Sequence, residues 1–172
     1  MQKNKFLLTN IIIGFVFTLL FPFVGLGQQQ AHHNDDGPHQ KNPGFEAVVS
    51  GTIIKNPEEG HTNSATEIHL TYWTSHYWAF GLGYTFIFED EGRIGHEITP
   101  LISHKPWPIL TINAGPSFAL PNSEHDLEVA GYLEGEINIR IGEKGCHLGP
   151  VVGTLIGNEF RYFGGIHIGY EF

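Results

Sequence analysis

The sequence predicts an all-β protein, a closed antiparallel transmembrane β-barrel of about eight strands with up-and-down topology. Three observations carry this prediction. The end of the chain alternates between apolar and polar residues, the first 27 residues have the pattern of an export signal, and turn-forming segments recur at nearly even spacing between the two. No segment shows a convincing helical period.

The C-terminal segment from Phe160 to Phe172 has the pattern of a membrane-spanning strand. Every second residue is apolar or glycine, aromatic residues stand at both ends of this row, and the residues between are mostly small, charged or histidine. Because successive side chains of a strand point to opposite faces, one face of this strand is apolar. Aromatic residues at the two ends of an apolar row suit the two interfaces of a bilayer, so we expect this face to contact lipid.

Residues 1–27 are predicted to be a signal peptide. Two early lysines precede an apolar run, and Gly25 and Gly27 put small residues just before the expected cleavage between Gly27 and Gln28. The run is also about long enough to span a bilayer as an uncleaved anchor. Pro22 and the two glycines favour cleavage over anchoring, and cleavage implies bacterial-type export.

Residues 28–43 are predicted to be a flexible, histidine-rich lead-in to a barrel domain that occupies 44–172. His32, His33 and His39 lie close to two aspartates in this segment, and such a tract can capture a divalent metal weakly. The preferred interpretation is simpler: a polar tether whose histidines are incidental, with no cofactor.

Eight strands are predicted after the lead-in, separated by segments rich in Pro, Gly, Asn and acidic residues. Pro100, Pro116 and Pro150 fall inside predicted strands, where each removes a ladder donor. The Gly-Pro doublets at Pro116 and Pro150 predict β-bulges near a rim. The predicted strands are 44–55, 66–74, 78–88, 95–105, 109–120, 127–139, 146–156 and 160–172.

Composition narrows the classes of function. The chain carries 9 basic and 18 acidic residues, a formal net charge of −9, so no basic patch supports nucleic acid as a partner. Cys146 is the only cysteine, and no internal disulfide can form. The 22 glycines favour closely packed strands and tight turns over helices.

Alternation also assigns an inward face to the barrel. In the sixth predicted strand, Leu133 lies on the opposite face from Glu134 and Glu136. A soluble barrel would place the apolar rows inside, but the export signal and the aromatic ends of the rows favour the reverse. The predicted inward face comprises Glu46, Glu67, Glu97, Glu128, Glu134, Glu136, Glu171, His69, His147, His167 and Arg161.

We interpret these groups as a lumen charge network, a hydrogen-bonded polar core around Arg161, the only clear cation among them. Side chains just fill the interior of an eight-stranded barrel. Cation binding or a narrow cation path is the alternative, since Glu and His both bind divalent transition metals. No ligand spacing in the sequence is diagnostic of a metal.

The segment from Gly44 to Phe172 resembles the small eight-stranded outer-membrane barrels of Gram-negative bacteria, of the OmpA and OmpX type. The resemblance rests on the strand count, the alternation, the ending GGIHIGYEF and the exported start. It implies location in the cell outer membrane after signal-peptide cleavage, contact with outer-membrane lipid, and both barrel termini in the periplasm. It also implies that Phe172 is an assembly signal for the barrel-assembly machinery. Unlike long-looped adhesins, the outer connections are expected to be short, about ten, six, six and three residues.

Some members of this family are lipid-modifying enzymes, and the deacylase type uses a His and a Ser close together on one strand with a Glu nearby. The nearest match here is Ser103-His104, and adjacent strand residues point to opposite faces. We therefore expect an integral outer-membrane barrel with a structural or interaction role and no catalysis. The alternatives are a small cation-preferring pore or metal-handling accessory, and a soluble periplasmic barrel that binds an apolar ligand.

Overall fold

The computed structural model describes residues 44–58, 60–89, 92–121, 126–142 and 145–172 of the 172-residue chain. The predicted signal peptide and lead-in, with His32, His33 and His39, lie outside these residues. No helix long and apolar enough to cross a membrane occurs in the described ranges. Their strands are β1 (Gly44–Lys55), β2 (Thr62–Trp73), β3 (Trp78–Phe88), β4 (Ile94–Trp107), β5 (Leu110–Ala119), β6 (Glu128–Ile137), β7 (Ile139–Ile141), β8 (Cys146–Ile156) and β9 (Phe160–Glu171).

The strands form a closed antiparallel barrel with eight strand positions, as predicted. Each strand from β1 to β6 pairs with its neighbour in the chain, β9 pairs with β1, and the pairing of β6 with β8 closes the sheet. β6 and β7 occupy a single strand position of the barrel, because both pair with β8 in the same register on either side of Asn138. Closure leaves no sheet edge exposed to lipid, as a bilayer requires.

The interruption at Asn138 has a local cause on the facing strand. Pro150 has no N–H to give to the ladder, and Gly149 lies so close to the carbonyl of Ile137 that an added Cβ would overlap it. The backbone N–H of Asn138 instead donates to the carbonyl oxygen of Ile109 at 2.8 Å. The single predicted strand 127–139 is therefore divided, and it extends to Ile141.

The predicted bulges at Pro116 and Pro150 are wrong. The register between β8 and β9 runs unshifted through Pro150, and the registers on both sides of Pro116 agree. The proline on each strand costs ladder hydrogen bonds but adds no extra residue. The one register shift between β4 and β5 lies between His104 and Trp107, beside the turn that joins these strands.

The outer surface of the barrel is apolar, and this confirms the predicted assignment of faces. Leu82 is 51% exposed, Leu133 49% and Ile166 70%, while their neighbours in sequence turn inward or carry no side chain. Aromatic residues mark both ends of this surface, as expected at the two bilayer interfaces. They are Phe45, Tyr72, Tyr77, Trp78, Trp107, Tyr170 and Phe172 at one end, and Phe88, Phe160 and Tyr162 at the other.

We call the first of these the terminal end, because β1 starts and β9 finishes there, and the other the loop end. At the terminal end, the N–H of Phe172 donates to the carbonyl oxygen of Phe45 at 2.8 Å. The connections at the loop end are 56–61, 89–93, 120–127 and 157–159. The first is shorter than predicted because β2 begins at Thr62 and not at 66, and the third is longer because β6 begins at Glu128.

Candidate functional site: the barrel lumen

Carboxylates and one imidazole meet inside the barrel in a group that we call the central cluster: Glu67, His69, Glu134 and Glu136. β2 supplies the first two residues and β6 the last two, so the contacts cross the lumen between strands that are not paired. Nε2 of His69 lies 2.8 Å from Oε1 of Glu67. Nδ1 of His69 lies 3.7 Å from Oε1 of Glu136 and 3.9 Å from Oε1 of Glu134.

The central cluster is deeply buried and only partly satisfied by hydrogen bonds. Its side chains are at most 4% exposed. Tyr132 donates its hydroxyl hydrogen to Glu67 at 3.0 Å, and the amide of Asn113 donates to Glu134 at 2.9 Å. Beyond the close contact between His69 and Glu67, two cluster atoms have no hydrogen-bond partner within the described residues: Oε2 of Glu134 and Oε1 of Glu136.

A second polar group lies at the terminal end of the lumen. Nε2 of His147 is 3.3 Å from Oε1 of Glu46, and the indole N–H of Trp73 donates to the other oxygen of Glu46. Lys105 approaches Glu171 at 3.4 Å and also lies 4.5 Å from the centre of the Trp73 ring. This terminal cluster, formed by Glu46, Trp73, Lys105, His147 and Glu171, therefore contains an ammonium group, whereas the central cluster contains the imidazole of His69 as its one basic group.

The loop end of the lumen holds the remaining strong ion pair and an open cavity. Arg161 and Glu97 meet at 2.8 Å, and the hydroxyl of Ser117 donates to Glu97 at 3.3 Å. These two charged residues line an open cavity of about 190 Å³, together with residues of the four loop-end connections, such as Glu159, and residues near the strand ends, such as His96. The cavity forms a polar mouth at this end.

Apolar side chains pack inside the barrel beside these polar groups. The rings of Tyr132 and Phe163 stack with centroids 5.7 Å apart, and Val151, Leu155 and Leu101 belong to the same buried cluster. Because Tyr132 also donates to Glu67, the apolar cluster directly adjoins the central cluster. Side chains therefore fill this part of the interior.

Most of the predicted lumen residues are buried, but they do not gather around Arg161. Arg161 contacts Glu97 near the mouth, whereas His167 lies 3.1 Å from the amide oxygen of Asn138, with its ring centroid 5.5 Å from that of His147. Glu128, predicted to face inward, is exposed at the loop end, because β6 begins there and its first residue stands at the rim. Sequence reasoning missed Lys105 as a lumen cation, although it has the same parity as the inward residue Glu97 on β4, because it stands at the last position of the predicted strand 95–105.

The Ser103-His104 pair does not form a catalytic unit. Ser103 is 1% exposed in the lumen, whereas His104 stacks on Trp78 with ring centroids 4.3 Å apart, and Nδ1 of His104 lies 3.1 Å from the carbonyl oxygen of Tyr77. The two side chains leave opposite faces of β4, as strand geometry requires. A proton cannot pass directly between them.

No protein-family model matches the chain, and no curated protein matches it. Several solved structures share its fold, among them the following three. A de novo designed transmembrane β-barrel is 16% identical with a TM-score of 0.52 and matches 78% of this chain and 100% of its own. The N-terminal β-barrel domain of Pseudomonas aeruginosa OprF is 9% identical with a TM-score of 0.57, over 76% of this chain and 100% of its own. Neisserial surface protein A (NspA) is 9% identical with a TM-score of 0.52, over 78% and 100%.

These comparisons define the fold class of the chain. The chain has the fold of the small eight-stranded barrels of outer membranes. At 9% and 16% identity the likeness concerns the fold, and the lumen residues of this chain must be interpreted on their own contacts.

We expect the replacement Arg161→Gln to lower the free energy of unfolding by about 1–3 kcal/mol, because it leaves the buried carboxylate of Glu97 without its cation. Urea titration of the barrel in detergent micelles measures the change. Arg93→Gln is the matched control, since its 3.9 Å contact with Glu89 is more exposed and should contribute less than about 1 kcal/mol. Adding Glu97→Gln to Arg161→Gln should recover part of the loss; equal effects of the two single arginine replacements would contradict the assignment.

Proposed function

We propose that this chain is an integral outer-membrane barrel of a Gram-negative cell with a structural or interaction role and no catalysis. Two features together support the proposal most strongly: the outer surface is apolar, and side chains fill the part of the lumen around the buried apolar cluster. Stacked Tyr132 and Phe163 beside the central cluster leave an interior suited to rigidity. The separation of Ser103 from His104 supports the absence of a serine–histidine reaction centre.

The route to the membrane belongs to the same proposal. Residues 1–27 serve as a cleaved signal peptide, and Phe172 serves as the aromatic signal for the barrel-assembly machinery. Phe172 is 74% exposed at the terminal end, so its ring is accessible from outside the barrel. The short connections at the loop end offer little protruding surface, which favours a partner in the membrane plane over an adhesive role at the cell surface.

We expect the protein to fractionate with outer membranes and to resist extraction by carbonate or high salt, because large apolar side chains cover its outer face. Sucrose-gradient separation of the two membranes, followed by carbonate treatment, measures this. Recovery in the soluble periplasmic fraction would contradict the proposal and favour the barrel that binds an apolar ligand.

A small cation-preferring pore is the second candidate function, and the acidic lumen favours it over an anion path. Rings of carboxylates exclude anions, and the mouth at the loop end contains Glu97, Asp126 and Glu128 against Arg161. The packed interior of a narrow barrel keeps such a path largely closed.

We expect planar-bilayer recordings of the purified protein to show either no conductance or small, cation-selective events. Reversal potentials in a potassium chloride gradient determine the selectivity. Large anion-selective conductance would overturn both the filled lumen and the cation preference.

A further inference from the structure

The central cluster has an excess of negative charge that its surroundings do not balance. Three carboxylates surround one imidazole, which can contribute at most one positive charge. Of the cations that the described ranges place in the lumen, Arg161 is held by Glu97 and Lys105 by Glu171. Unbalanced carboxylates are unfavourable in a water-poor interior, so either protons or a bound cation must compensate them.

The geometry favours a cation. Ligand atoms of Glu67, His69 and Glu134 all lie within 4.8 Å of one another. Nε2 of His69 and Oε1 of Glu67 are 2.8 Å apart, the distance of a close ion pair. A metal ion can take the place of the proton that these two atoms otherwise share, and Oε2 of Glu134 has no hydrogen-bond partner within the described residues.

The remaining carboxylate supports the histidine as a ligand. Glu136 faces Nδ1, the other ring nitrogen of His69, at 3.7 Å. A metal-bound imidazole commonly has a carboxylate on its far nitrogen, which fixes the tautomer and orients the ring. Oε1 of Glu134 faces the same nitrogen at 3.9 Å, so if Glu134 turns to the metal through its other oxygen, a small approach lets Glu136 accept the hydrogen of Nδ1.

The terminal cluster serves as an internal comparison. Glu46, His147 and Glu171 also bring ligand atoms within 4.8 Å of one another. Both clusters receive neutral donors, Trp73 here and Tyr132 and Asn113 in the central cluster, but in the terminal cluster Lys105 also pairs with Glu171. A second cation would compete with Lys105, so the terminal cluster is the poorer site although its residue types are the same.

We propose that Glu67, His69 and Glu134 bind one divalent transition-metal cation inside the lumen, with Glu136 orienting the histidine. One nitrogen and several carboxylate oxygens suit a borderline ion such as Zn²⁺. Ligand atoms about 2.0–2.2 Å from one metal lie at most about 4.4 Å apart. Any pair near the 4.8 Å limit must therefore approach, whereas Nε2 of His69 and Oε1 of Glu67, which are 2.8 Å apart, must separate slightly. The bound ion links β2 to β6 across the lumen and thereby stabilises the barrel. This metal site adds to the structural role proposed above.

The test uses the full chain with His32, His33 and His39 replaced by glutamine, so that the lead-in cannot bind metal. The protein is refolded in detergent with Zn²⁺, dialysed against metal-free buffer and assayed for zinc by mass spectrometry, with about one equivalent per barrel expected. Zinc should also raise the urea midpoint of the folded barrel relative to a sample treated with a chelator. Retention well below one equivalent, with no shift in the midpoint, overturns the proposal.

Variants locate the ion. His69→Gln and Glu134→Gln should each weaken zinc affinity by about tenfold or more, whereas His147→Gln and Glu46→Gln in the terminal cluster should leave it unchanged. Binding that survives His69→Gln, or that is lost only with His147→Gln, overturns the assignment. If a central variant does not fold, Co²⁺ bound to the unaltered cluster decides: nitrogen ligation shown by X-ray absorption supports the site, and all-oxygen ligation contradicts it.

Discussion

Gly165→Ala is expected to weaken or prevent closure of the barrel between β1 and β9. A Cβ at this position would overlap the carbonyl oxygen of Gly51 and crowd the Cα of Thr52, both backbone atoms of the neighbouring strand. Backbone cannot move aside as a flexible side chain can, so the two strands must separate. We expect the free energy of unfolding to fall by about 2–3 kcal/mol, measured by urea titration and by the heat-dependent electrophoretic mobility of the folded barrel.

Gly51→Ala is the matched control on the facing strand. A Cβ on Gly51 would meet nothing within 4 Å, because this position faces outward from the barrel. Its replacement should change the free energy of unfolding by less than about 0.5 kcal/mol. Equal effects of the two alanines would mean that the strands do not approach as closely as the pairing of Thr52 with Gly165 implies.

The sequence predicted the barrel well because its determinants are local and periodic. Alternation along strands such as β3 and β9 follows from the position of each side chain on a strand, and the bilayer makes the outward row uniformly apolar. The division at Asn138 could not be predicted in this way. It depends on Pro150 and Gly149, which face it from another strand, and only the register of β6 with β8 brings them together.

Which lumen residues contact one another could not be predicted from the sequence either, because these contacts also depend on residues of other strands. Alternation predicted that Glu67, Glu134 and His69 face inward, but the distances between them depend on how far each strand is shifted along the barrel. This shift accumulates from β2 to β6. An error of one residue in the register of each strand pair would therefore place a carboxylate at a different height in the lumen. Arg161 therefore seemed central in sequence, whereas it lies near the loop end with Glu97.

Leu133→Arg is expected to destabilise the membrane-inserted barrel by about 2–4 kcal/mol, because it puts a guanidinium group against lipid near the middle of β6. Leu133 is 49% exposed on the outer face, between its partners Ala114 on β5 and Thr154 on β8. Neither partner carries a charge that could compensate the arginine. Urea titration in phospholipid vesicles measures the effect, since the cost depends on the apolar core of a bilayer.

Glu134→Gln, one residue further along the same strand, is the control for this face. The glutamine keeps an oxygen that can accept from Asn113 and removes one of three crowded carboxylates, so in metal-free buffer it should cost less than Leu133→Arg. The comparison holds sequence position, strand and pairing partners nearly constant and changes only the side of the sheet. If Glu134→Gln proved the more harmful of the two without metal, lipid would have to contact the acidic face, and the lumen with its cation site would not exist.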